Sequence, residues 1–189
     1  MKKTLAWLKD YFRRADMLLL FLSIVCAVFG IVVISSAVQT YDNPAKYVVV
    51  QTLALGIGIV LYVLLTVIDI DILADKWVFL CVFNVLFLGI LIFFGQESET
   101  GNSGWLRFFG IGIQPSEVVK ITYIIIMAKH ITYLKEYKDL NSVMSIAQLA
   151  VHFIAIFGLL LFTSKDLGSA LVYFFIFAVM LFAGGVRLY

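Results

Sequence analysis

The sequence predicts an all-α polytopic membrane bundle of about six transmembrane helices with its N-terminus in the cytoplasm. Of its 189 residues 63% are hydrophobic and 14% charged, far from the roughly one-quarter charged content of soluble domains. Six apolar runs of near-membrane length follow one another, and the charges fall almost entirely between them. Two prolines and two cysteines exclude a Pro-rich linker protein or a disulfide scaffold. Cys26 and Cys81 each lie alone in an apolar run and read as small buried hydrophobes.

Residues 1–16, MKKTLAWLKDYFRRAD, set Lys2, Lys3, Lys9, Arg13 and Arg14 around Leu5, Leu8 and Phe12 at near-helical spacing. That pattern predicts an amphipathic juxtamembrane helix lying in the interface. A signal peptide also begins positively, but its apolar core is only about 7 to 15 residues long. Here the run from Met17 to Val38 exceeds that, so the segment is expected to stay as an anchor.

A hydrocarbon core of about 30 Å needs roughly 20 apolar helical residues, because unpaired backbone groups cannot be left in lipid. The transmembrane domain, 17–189, then holds spans at Met17 to Val38, Tyr47 to Ile68, Lys76 to Gly95, Pro115 to Tyr133, Val143 to Thr163 and Leu167 to Val186. Positive loops are retained on the cytoplasmic side. With the N-terminus inside, only Lys46, Arg107 and Lys165 fall outside and Lys120 falls within a span; the rest of the 14 basic residues lie inside. The longest non-cytoplasmic loop is then Gln96 to Gln114, and long loops in compact proteins tend to carry function. The chain ends at Gly184-Gly185-Val186-Arg187-Leu188-Tyr189, where a sixth helix would just be leaving the bilayer, and this reads as a fragment of a longer protein.

The most informative stretch is Gly101 to Lys120, GNSGWLRFFGIGIQPSEVVK, a glycine-rich aromatic loop that runs into Gln114-Pro115-Ser116-Glu117. Proline at the first helical position needs no N–H, and Glu117 in the first turn meets the positive end of the helix dipole. Gln114, Glu117 and Lys120 follow at i, i+3 spacing on one face. A lysine a turn inside the bilayer costs a few kcal/mol unless paired, and Glu117 is its obvious partner. Either the pair neutralises a buried face, or it lines a polar cavity open to the outside that receives an anionic or sugar-bearing substrate. Trp105 and Arg107 above it could meet a headgroup, although Trp105 also fits an ordinary aromatic belt.

The pattern G-x-x-x-W followed by Q-P-S-E-x-x-K at the outer end of the fourth helix resembles the SEDS family, the RodA, FtsW and SpoVE proteins of bacterial cell-wall synthesis. Asp166-Leu167-Gly168-Ser169-Ala170 is similar to that family's P-D-L-G-T-A segment between the fifth and sixth helices. Three positions depart from the pattern: Gly104 stands where many members have arginine, and Ser164-Lys165 replaces the usual Gln-Pro.

The resemblance implies a peptidoglycan glycosyltransferase that polymerises lipid II at the outer face of the bacterial cytoplasmic (inner) membrane, in elongation, division or sporulation. A class B penicillin-binding protein, a transpeptidase, is the implied partner. It further implies a fold of about ten helices, of which this chain is the N-terminal part, and an essential aspartate in an outer loop after the seventh helix. No catalytic residue is therefore expected in this chain, which would be inactive alone. By the same resemblance Trp105, Arg107, Gln114, Glu117 and Lys120 border the substrate cavity, while Pro115, Ser116, Asp166 and Gly168 are structural motif positions. A divalent cation, Mg or Mn, is allowed by the resemblance, but no metal-ligand set is identified in the residues.

For Asp166 the physical reading is an N-cap of the sixth helix. His152, mid-span, is expected to make an interhelical hydrogen bond, with a proton relay as the alternative. His130, next to Lys129, reads as solvated at the inner interface. Asp69, Asp71 and Asp75 are spaced like a metal loop but lack its glycine and closing glutamate, and so read as a solvated turn. Gly56, Gly58, Gly184 and Gly185 are expected to let helices approach closely. No phosphate loop, zinc spacing, Ser-His-Asp set or nucleic-acid signature occurs. Two other functions remain open: a lipid-precursor flippase or transporter, since an intramembrane ion pair also suits a transport path, and a non-catalytic scaffold of the cell-wall machinery.

Overall fold

A computed structural model describes residues 15–41, 43–95, 103–108 and 111–187. The expected amphipathic helix at 1–16 therefore lies almost wholly outside the described residues. The chain divides into two compact units, Met1–Asp69 and Ile70–Tyr189.

In the first unit, α1 (Met17–Ala37) runs into a short 3₁₀ turn, Val38–Thr40, and α2 (Pro44–Val67) follows. Asp16 caps α1 by accepting from the Leu19 N–H at 2.9 Å. Asn43 accepts from Lys46 N–H ahead of Pro44 at the first helical position, so α2 starts three residues earlier than its apolar run suggests. The Tyr62 hydroxyl donates to the Asp16 carbonyl at 2.7 Å and ties the two helices together. Neither helix buries a residue against protein. Leu18, Phe21, Phe29, Leu53 and Ile57 point outward, as suits a solvent of lipid tails rather than water. The close approach expected at Gly56 and Gly58 is not found, because nothing lies within 4 Å of a Cβ built at either. Cys26 is exposed and Cys81 only half-buried, against the expectation that both lie inside. An apolar residue in a membrane span can face lipid as readily as core.

The second unit begins with a short helix, α3 (Ile70–Asp75), and continues with α4 (Trp77–Phe94), α5 (Pro115–Tyr137), α6 (Val143–Ser164) and α7 (Leu167–Gly184). Each long helix contributes one stripe at helical spacing: Leu80, Asn84, Leu88 and Leu91 on α4; Val119, Tyr123, Met127, Ile131 and Leu134 on α5; Leu149, Phe153, Ile156 and Leu160 on α6; Ala170 and Tyr173 on α7. The stripes meet in one core. On α6 and α7, Phe153 and Phe177 stack with ring centroids 4.5 Å apart.

Among the described residues five helices are long and apolar enough to cross a membrane: Met17–Thr40, Pro44–Val67, Trp77–Phe94, Val143–Ser164 and Leu167–Gly184. α5, the fourth predicted span, runs on to Tyr137; its 23 residues cover about 34 Å. Glu117, Lys120, Lys129, Lys135 and Glu136 make it too charged to qualify by composition. Its apolar stripe is buried among the other helices instead.

Between α4 and α5 the loop carries a hairpin that the sequence pattern does not announce: β1 (Leu106–Phe108) pairs antiparallel with β2 (Ile111–Ile113), Arg107 opposite Gly112. A backbone hydrogen bond holds this loop to the end of α6, where Ser103 N–H donates to the Ser164 carbonyl at 2.9 Å. At the other end of the unit, Arg187 N–H donates to Asn141 Oδ1 at 2.7 Å. There Gly184 comes so close to Ile131 that an added Cβ would stand 2.8 Å from its Cγ2, the close approach expected of this glycine.

Candidate functional site

The loop, the start of α5 and the start of α7 meet at the same end of the second unit. Proline begins α5, Gln114 occupies its N-cap position, and Glu117 lies in its first turn. The Gln114 side chain does not bond its own helix. Its Nε2 donates to Asp166 Oδ2 and to Ser169 Oγ, each at 3.1 Å. Asp166 caps α7 as expected, with Oδ1 accepting from Ser169 N–H at 3.1 Å and Oδ2 from Ser169 Oγ at 2.7 Å. Gly168 sits where a Cβ would stand 3.2 Å from Asp166 Oδ1, so its lack of a side chain keeps the carboxylate in place. The two motifs singled out in the sequence are thus physically joined, across 52 residues.

Glu117 and Lys120 form the expected pair, Lys120 Nζ lying 2.7 and 2.8 Å from the two carboxylate oxygens. Lys120 is 21% exposed and Glu117 57%. The glutamate therefore stands at the outer, accessible side and the lysine reaches back toward it from one turn deeper. In water such an exposed pair contributes only a few tenths of a kcal/mol. In the membrane its role is to keep the ammonium compensated.

Ser116 is buried, and its carbonyl accepts from the Tyr173 hydroxyl at 2.6 Å, so the start of α5 is also anchored to the middle of α7. Among the described residues its own Oγ is buried without a partner, as is the Tyr123 hydroxyl. Tyr123 and Tyr173 pack with centroids 5.3 Å apart. Ser169 was read only as part of the Asp166 motif, and Tyr173 and Tyr123 were not singled out from the sequence. Spacing held a signal for Tyr173, which falls one helical turn after Ser169 on the face that Asp166 caps.

Trp105 is 38% exposed and lies across Gly112, where an added Cβ would stand 3.1 Å from the indole ring. Arg107 is exposed on the same hairpin. Both belong to the loop that leads into α5.

The donor set does not suit a divalent cation. Both Glu117 oxygens face Lys120, and both Asp166 oxygens accept from Ser169, with Gln114 adding to one of them. Among the described residues no group of three His, Cys, Asp or Glu side chains could hold a metal ion.

Deeper in the bundle, Asn84 on α4 accepts from the Thr122 hydroxyl on α5. His130 on α5 and His152 on α6 meet Nδ1 to Nδ1 at 3.4 Å. His152 thus makes the interhelical contact expected of it. The expectation that His130 is merely solvated is corrected, since it is half-buried with an imidazole partner. Asp75 is likewise more than part of a solvated turn, accepting from Lys129 Nζ at 2.8 Å. That ammonium holds the Asp75 carboxyl below the usual carboxylate range.

The family of FtsW, RodA and SpoVE cell-cycle proteins matches residues 16–189. A probable peptidoglycan glycosyltransferase FtsW of Trichlorobacter lovleyi is 31% identical over 191 residues, covering 96% of this chain and 49% of that protein. One of Geobacter sp. (strain M18) is 27% identical over 184 residues, covering 91% and 48%. The chain thus spans about half the length of the curated relatives it matches. Among solved structures, the rod shape determining protein RodA of Thermus thermophilus superposes with a TM-score of 0.67 at 26% identity, over 87% of this chain and 54% of that one. A chain from a peptidoglycan synthase complex that coordinates polymerization and crosslinking gives 0.67 at 27% identity, over 86% and 47%.

Proposed function

The chain belongs to the FtsW/RodA/SpoVE family, and on that premise we propose that it forms part of a peptidoglycan glycosyltransferase polymerising lipid II at the outer face of the bacterial cytoplasmic membrane. The observation that carries this reading is the junction of Gln114 with Asp166 and Ser169. It locks the starts of two helices side by side, with Glu117 and Lys120 in the first turns of α5 and the hairpin of Trp105 and Arg107 leading into it.

Glycosyl transfer needs a base for the attacking sugar hydroxyl and positive charge for the departing diphosphate. This arrangement supplies shape and charge. Arg107 and Lys120 are cations of the assembly, and Glu117 orients the Lys120 ammonium through both carboxylate oxygens. Asp166 is held by Ser169 and Gln114 as a helix cap and is not assigned the base. A magnesium or manganese ion, which the family resemblance allows, would need carboxylates other than these, so no step is drawn through it. A class B penicillin-binding protein is the proposed partner.

The test is polymerisation of labelled lipid II, with the cognate transpeptidase present, by the purified longer protein of which this chain is proposed to form part. Glu117→Ala, which strands Lys120, should lower the rate at least tenfold, about 1.4 kcal/mol in the barrier. Ile113→Ala, at an exposed hairpin position, should leave it near the parent. Leu106 is unsuitable as that control because it is buried in the core. Equal tolerance of both substitutions would overturn the cavity reading. Absence of polymer from the parent protein would favour the transport or scaffold readings.

A further inference from the structure

A cavity of about 580 Å³ lies away from the site just described, lined by Trp77, Cys81, Ile126, Lys129, His130, Tyr133 and His152. It opens among α4, α5 and α6, toward the end of the second unit opposite Gln114. Lys129 and His130 fall roughly 21 Å along α5 from Pro115. In the orientation set by the positive loops, this is the cytoplasmic side.

We infer that this cavity is a binding site for one phospholipid with an anionic headgroup, drawn from the cytoplasmic leaflet. The wall is mainly apolar, with Ile126, Cys81 and the Trp77 ring offering a surface for an acyl chain. Lys129 supplies the positive charge, with the His130 ring next to it on α5 as a polar group. Trp77 opens α4, and Tyr133 lies one turn beyond Lys129, so amphipathic rings flank the mouth at headgroup depth. Basic pockets between transmembrane helices on the cytoplasmic side are the kind of site that recognises phosphate-bearing headgroups. His152 backs His130 through the 3.4 Å contact and holds its ring toward the cavity.

Acidic groups also face this site. Asp75 occupies Lys129 at 2.8 Å, and Asp71 and Glu136 lie close enough to act on the same ammonium. A lipid phosphate would therefore share or displace Asp75. This gives the proposal a sign that a purely structural role for the ion pair does not share: removing the lysine should weaken binding, whereas removing the aspartate should strengthen it.

The probe is phosphatidylglycerol, titrated into the purified protein in a zwitterionic detergent, with phosphatidylcholine of the same chains as comparison. Binding is read by native mass spectrometry and by the maleimide labelling rate of Cys81, with exposed Cys26 as internal reference. Phosphatidylglycerol is expected to bind about tenfold more tightly than phosphatidylcholine and to slow labelling of Cys81 but not of Cys26. Lys129→Gln and His130→Ala should each reduce the preference severalfold, and Asp75→Asn should increase it. The inference is overturned if the two lipids bind alike, or if Asp75→Asn weakens binding as Lys129→Gln does. Glycerol phosphate without acyl chains competing as well as the lipid would also overturn it, marking a site for soluble anions. Because the parent protein reports directly through Cys81, the outcome stands even where a variant fails to fold.

Discussion

Replacing Asp166 with alanine tests the junction on which the site rests. The substitution removes the acceptor for Ser169 N–H, for Ser169 Oγ and for Gln114 Nε2. Loss of an aspartate N-cap costs about 1 kcal/mol. Gln114 and Ser169 keep their contact with each other, so only part of their bonding is lost, adding about 1 kcal/mol. The sum, about 2 kcal/mol, corresponds to a fall of roughly 4–8 °C in the unfolding midpoint of a chain this size. Asparagine caps a helix nearly as well as aspartate, so the Asp166→Asn variant should recover more than half of the loss. Thermal unfolding in detergent, followed by tryptophan fluorescence, reads both. A midpoint for Asp166→Ala within about one degree of the parent, or an asparagine variant as unstable as the alanine one, would refute the reasoning. Combining Gln114→Ala with Asp166→Ala should fall short of additivity by about 0.5–1.5 kcal/mol, because each removes part of the same network.

Three further outcomes follow from the same geometry. Tyr173→Phe removes the donor to the Ser116 carbonyl and should cost about 1 kcal/mol, measurable in the same unfolding assay, with little change in packing. Gly184→Ala should destabilise by about 1–3 kcal/mol through its clash with Ile131 Cγ2, and in combination with Ile131→Ala, which removes that atom, the two costs should fall short of additivity. Asp75 has a folded-state affinity for protons lowered by Lys129, so its contribution is present above the ordinary carboxylate range and is lost as pH falls through the lower, folded value. The difference in unfolding midpoint between the parent and Asp75→Asn should therefore be small at neutral pH, shrink in high salt, and vanish at strongly acid pH.

The helices were legible because a lipid solvent forces long apolar runs, and their ends were legible where a cap was written locally, as at Asp166 and Pro115. The pair Glu117–Lys120 was legible for the same reason, since i, i+3 spacing on one helix fixes the neighbour. Which face of each helix turns inward was not legible. Lipid and core are equally apolar, so Cys26, Gly56 and Gly58 carry no mark of the open side they occupy. The hairpin escaped notice because two three-residue strands are too short to show an alternation. Polar residues within the spans hold more information than the apolar ones around them. Water is absent there, so an unpaired polar group is costly, and the structure pairs Asn84 with Thr122, Tyr173 with Ser116, and His130 with His152. These pairings also line up. From the Ser116 carbonyl the path runs through Tyr173 to Tyr123, with centroids 5.3 Å apart, then to His152 at 5.7 Å and His130 at 5.6 Å. The Tyr123 hydroxyl, buried and without a partner among the described residues, belongs to that line. A seam of packed rings thus runs from the Ser116 end of α5 to the cavity beside Lys129. Substituting Tyr123 with phenylalanine leaves the packing intact and removes a hydroxyl that has no partner to lose, so it should be neutral or stabilising by unfolding midpoint. A marked loss of stability instead would mean that the hydroxyl is bonded through an ordered water within the seam.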